Sequence, residues 1–86
     1  MTIINFKPLS NGALIGSFSL LLQSGLQIND CKVFQKDGRH WLGLPQRMYE
    51  LNGEKKYANV CEIPERETRD KFSNLAVDAL KSAGHI

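Results

Sequence analysis

The stretch Leu26-Gln27-Ile28-Asn29-Asp30-Cys31-Lys32-Val33-Phe34-Gln35, then Lys36-Asp37-Gly38-Arg39, then His40-Trp41-Leu42-Gly43-Leu44-Pro45-Gln46-Arg47 reads as a β-hairpin with a basic, aromatic surface. Leu26, Ile28, Val33 and Phe34 mark one strand, to about Gln35, and Arg39 to Leu44 form the next. Between them Asp37-Gly38 supplies the φ > 0 positions that a tight hairpin turn needs. Pro45 has no N–H for a ladder, so the second strand ends there or runs on as an edge. The hairpin is expected to hold Lys32, Lys36, Arg39 and Arg47 close in space. Along its first strand the alternation slips, with Leu26 and Ile28 on one parity and Cys31 and Val33 on the other. A slip of one residue flips every following side chain, so a bulge is expected near Asn29-Asp30.

Before the hairpin, Ile3, Ile4, Phe6 and Leu9 indicate a first, weakly alternating strand that ends near Pro8, and Ser10-Asn11-Gly12 a turn. Ala13 to Gln23 reads as a second strand, with Leu14, Phe18, Leu20 and Leu22 toward the core and Ile15, Ser17, Ser19 and Leu21 opposite. Gly16 lies on the apolar side and marks a bulge or a close packing contact. After the hairpin, Met48 to Glu54 reads as a loop around Asn52-Gly53, and Lys56 to Ile63 as a fifth strand.

The C-terminal stretch carries a helical stripe. Phe72, Leu75, Ala76, Ala79, Leu80 and Ala83 recur at i, i+3, i+4, i+7, i+8 and i+11, which predicts an amphipathic helix over about 65–83. Pro64, Glu65 and Glu67 suit its start, Lys81 its last turn, and Gly84 its stop. Val77 falls outside the stripe, as a tolerated surface valine or a subunit contact. The pattern is α+β: an antiparallel meander of four to five strands followed by one C-terminal amphipathic helix. One helix covers only part of one sheet face, so the remainder must be polar, paired with another subunit, or used for binding.

With 86 residues, the chain is read as a single domain, 1–86. So short a chain buries only about 60–65% of its unfolded surface, a shortfall that dimerisation commonly offsets. No apolar run approaches the ~20 residues of a membrane span, and no export signal is evident, so a cytoplasmic protein with reduced Cys31 and Cys61 in its core is expected. Residues 1–56 hold seven basic and four acidic side chains, against four basic and five acidic in residues 57–86. The positive excess therefore sits on the sheet, where it is either a solvated face or a polyanion site.

No metal spacing, phosphate-binding loop or nucleophile elbow occurs, so no enzyme, metal or cofactor is expected. What remains is a basic sheet with rings among the charges. Cations neutralise phosphates, and exposed rings stack on unpaired bases. Lys32, Lys36, Arg39, Arg47, Lys55 and Lys56 form the candidate phosphate-contacting set, with Tyr49 and Tyr57 as candidate stacking groups. Phe34 and Trp41 are expected to fill the core.

The pieces Asn11-Gly12-Ala13-Leu14, Asp30-Cys31-Lys32-Val33, Gly43-Leu44-Pro45-Gln46-Arg47, Asn52-Gly53-Glu54 and Glu67-Thr68-Arg69-Asp70-Lys71, in this order and spacing, resemble the bacterial septation and sporulation regulators of the SpoVG family. The resemblance covers most of the chain. The element order is also similar to the single-stranded-DNA-binding fold of the transcriptional coactivator positive cofactor four, in which curved sheets precede a dimerising helix. These resemblances imply a homodimeric, non-enzymatic nucleic-acid-binding protein acting in transcription regulation or DNA metabolism. Single-stranded DNA is the favoured ligand. The alternatives are a homodimeric protein-interaction or scaffold module, and a duplex-DNA regulator that uses the helix start, where Arg66, Arg69 and Lys71 gather.

Overall fold

The computed structural model describes residues 1–86. The order is β1 (Thr2–Asn11), β2 (Leu14–Leu21), β3 (Gln27–Lys36), β4 (Arg39–Gly43), β5 (Gln46–Leu51), β6 (Glu54–Asn59) and α1 (Arg66–Ser82). The fold is α+β. β1 to β4 form a four-stranded antiparallel meander, and β5 and β6 form a separate two-stranded sheet. No helix is long and apolar enough to cross a membrane.

The meander is built on its turns and bulges. Asp37 and Gly38, at φ 53° and 76°, close β3 onto β4 so that Lys36 faces Arg39. The bulge expected near Asn29-Asp30 is there: Phe18 pairs with Cys31 but Leu20 with Ile28, and Asp30 sits at φ 59°. Asn5, at φ 55°, makes the matching irregularity in β1, opposite the same part of β2. Both flanking strands thus carry one extra residue at one level, which bends and twists the sheet about β2. Gly16 is a close packing contact, since a Cβ there would lie 2.5 Å from Cζ of Phe6.

The core is Phe18, Leu20, Cys31 and Val33 from the sheet, closed by Ala76 and Leu80 of α1. The buried helical stripe differs from the expected one. Val77 is buried, so it is neither a surface valine nor a free subunit contact, while Leu75 is 57% exposed. Phe72, Ala76 and Leu80 of the expected stripe pack on the core, and the stripe also takes in Ser73 and Val77. Hydropathy misplaced Ser73: this hydroxyl faces inward and accepts the Leu42 N–H at 3.0 Å, closing the β4 edge. The helix ends in a Schellman motif, with Gly84 N–H donating to Lys81 O and His85 N–H to Leu80 O, both at 3.0 Å. His85 then stacks on Phe6 at 4.4 Å.

Three further expectations are corrected. Met48 to Glu54 is not a loop: Asn52 and Gly53, at φ 53° and 77°, form a two-residue turn, and the residues on either side pair. The last strand ends at Asn59 rather than Ile63 and does not extend the meander. After Val60 N–H donates to Pro45 O at 3.1 Å, the chain leaves for the helix. Pro45 stops the ladder of β4, so Arg47 lies in a different sheet from Lys32, Lys36 and Arg39. β5 and β6 show little apolar alternation because every residue in them except Ala58 is exposed.

Candidate nucleic-acid interface

Successive side chains of a strand point to opposite faces, and paired residues on neighbouring strands share a face. Cys31 and Val33 point into the core. Lys32, Phe34 and Lys36 therefore point to the other side of the sheet, and the unbroken β3–β4 register puts Gly43, Trp41 and Arg39 beside them. Lys7 joins through the row Lys7–Ser17–Lys32. Lys32 and Phe34 are half-buried, while Lys7, Lys36, Arg39 and Trp41 are exposed. α1, the chain's only helix, packs on the opposite side.

Phe34 and Trp41 are thus on the open face and not in the core. Their rings stack at 5.6 Å with planes 12° apart, and Trp41 is 39% exposed. Gly43 makes room for this arrangement, because a Cβ there would come within 2.6 Å of Cε2 of Phe34. The aromatic pair is flanked by Lys32 on one side and by Lys36 opposite Arg39 on the other. Like charges directly across a ladder repel, and neither has a carboxylate partner: the single ion pair of the fold is Arg66–Asp70, at 3.9 Å on the exposed helix start. The face therefore keeps an unneutralised Lys36–Arg39 pair beside a stacked ring pair. Acidic groups lie only at its margins, Asp37 in the turn and Asp30 near Lys7.

The remaining candidates lie on the β5–β6 arm. Arg47, Tyr49 and Lys56 share one face, with Tyr49 directly opposite Lys56, while Lys55 and Tyr57 lie on the other face with Met48 and Gln46. Arg47, Tyr49, Lys55, Lys56 and Tyr57 are all exposed. The fold therefore divides the expected set between the open sheet face and the two sides of the arm. It also adds Lys7, Phe34 and Trp41 to the face. Parity could have found the two rings: from Lys32, the i+2 and i+4 positions are Phe34 and Lys36, and Trp41 follows Arg39 by two.

Below the meeting point of β4, the arm and α1 lies a cleft of about 290 Å³, lined by Lys32, Phe34, Gln46, Asn59, Arg69 and Phe72 among others. Gln46 Nε2 donates to Asn59 Oδ1 at 2.9 Å, and Asn59 Nδ2 donates to Glu62 Oε2 at 3.1 Å. Both cysteines are free thiols: Cys31 is buried and Cys61 half-buried beside this cleft. No family model, curated protein or solved structure matches the chain.

Proposed function

We propose that this protein binds single-stranded nucleic acid, DNA in preference, as a non-enzymatic cytoplasmic homodimer acting in transcription regulation or DNA metabolism. The observation that carries this reading is the open sheet face, where Lys32, Lys36 and Arg39 surround the stacked Phe34–Trp41 pair with no helix over them. Cations there would neutralise phosphates and release counterions, while the exposed Trp41 ring would stack on a base. An open sheet suits an extended strand better than a duplex groove, which usually admits a helix or ribbon. The helix start is the weaker candidate because it offers no stacked aromatic pair beside its cations. The order of short motifs similar to the SpoVG family supports the same reading.

A salt titration against labelled oligothymidine tests it. If about four cations each neutralise one phosphate, log affinity should fall with log salt at a slope of roughly −3. Lys36→Ala should weaken binding to all sequences and make the slope shallower by roughly 0.7. Trp41→Ala should weaken binding by roughly 1–3 kcal/mol with the slope nearly unchanged, because stacking releases no counterions. Absence of binding at low salt would leave the protein-scaffold reading in its place. Arg66→Ala and Arg69→Ala outweighing Lys36→Ala would transfer the interface to the helix start.

A further inference from the structure

We propose that the cleft between β4, the arm and the start of α1 receives one unpaired base of the bound strand and gives the protein a base preference. This rests on the nucleic-acid reading above. Lys32 and Phe34 line the cleft and also belong to the open face, so a strand tracking that face passes the cleft mouth. The volume of about 290 Å³ is at the lower end of the ~300–1,000 Å³ of sites for drug-sized ligands, which suits a single base and not a stacked pair.

The lining chemistry is that of a base with its phosphate. Phe72 contributes an apolar wall and Phe34 a ring at the lip. The relay from Gln46 through Asn59 to Glu62 fixes a polar wall. It occupies one Gln46 N–H and leaves the Gln46 carbonyl oxygen and its second N–H to meet a base edge. Arg69 lines the same cleft with no carboxylate partner, and with Lys32 it supplies positive charge for the flanking phosphate. A bare anion would leave the apolar wall unused, and an uncharged apolar molecule would leave both cations unused. Stacking on an open face tolerates every base, whereas a pocket with fixed donors and acceptors penalises the base that leaves them unpaired.

The test is fluorescence anisotropy with 12-nucleotide oligomers of thymidine, deoxycytidine and deoxyadenosine at one salt concentration. The native protein should prefer one of them by about 3- to 10-fold, the worth of one or two net hydrogen bonds. Gln46→Ala, at an exposed position, should flatten that preference while keeping the salt slope. Arg69→Ala should weaken all three oligomers and keep their ranking. Equal affinity for the three oligomers, or a preference unchanged in Gln46→Ala, would overturn the base pocket and leave the sheet interface standing. No binding to any oligomer would overturn both.

Discussion

The Cys31 thiol is wholly buried between sheet and helix. Burial, and to a lesser degree charge on the nearby Cys61, pushes it from 9.0 up to about 11. Between these values the unfolded thiol has lost its proton while the folded one retains it. Stability that is fully present below pH 9 is therefore lost as pH rises toward 11. Urea unfolding of the native protein and of Cys31→Ala from pH 8 to 11 should show the variant falling less steeply; parallel curves would reject the assignment. Asp30 and Asn5 hold left-handed backbone in mid-strand, a conformation costly for residues with a Cβ. Asp30→Gly should be neutral or stabilising, and Asp30→Val destabilising by about 1–3 kcal/mol, read from the urea midpoint. The Asp30 bulge was legible because the apolar parity visibly slips there. The place of Phe34 and Trp41 followed only from their parity with Lys32 and Arg39, because an aromatic ring in a strand, taken by itself, suits a core and a stacking platform equally well.

Among the elements, α1 shows how a polar residue can belong to a buried stripe. Ser73→Ala removes the acceptor for the Leu42 N–H at the β4 edge and should cost about 1–2 kcal/mol in chemical denaturation. Leu80→Ala should cost about 2–5 kcal/mol, since that side chain is 1% exposed in the core. Leu75→Asp, at a position 57% exposed, should leave the chain folded, with an unchanged urea midpoint at low protein concentration. The helix was legible from its 3.6-residue period, and Phe72, Ala76 and Leu80 lie on the core side as expected, but hydropathy put Leu75 inside and left Ser73 and Val77 out. The two sheet edges are both protected: β4 by Ser73, and β1 by Lys7, Pro8 and its bulge. The β5–β6 arm escaped notice as a hairpin because neither of its faces is buried, which removes the alternation that identifies a strand.

For the whole molecule, surface area bears on assembly. A compact monomer of 9.7 kDa exposes roughly 5,100 Å², whereas this chain exposes 6278 Å². The excess is on the order of 1,200 Å², comparable with the ~800 Å² per partner of a standard interface. Leu75 lies beside Met1, Leu22 and Ala79 in a shallow apolar depression, and Met48, Leu51, Tyr57 and Val60 stand exposed on or next to the arm. The proposed homodimer should scatter light as about twice the 9.7 kDa chain at micromolar concentration, with a midpoint of thermal unfolding that rises with protein concentration. A folded monomer with a concentration-independent midpoint would exclude it.

The two-residue turn of the arm also places a cyclisation-prone pair, Asn52-Gly53, in the open. Asn52 precedes Gly53, both are exposed, and no side chain on the glycine hinders its backbone nitrogen. Asparagine before glycine is prone to cyclise, its side-chain amide nitrogen leaving as ammonia, and water then opens the succinimide to aspartate or isoaspartate. Either product adds a negative charge three residues from Lys55, and isoaspartate also lengthens the backbone inside a turn that has room for only two residues. Stored protein should therefore age at the tip of the arm, gaining negative charge there that ion-exchange chromatography reads, while its core, measured by Trp41-independent probes such as far-ultraviolet dichroism, remains intact.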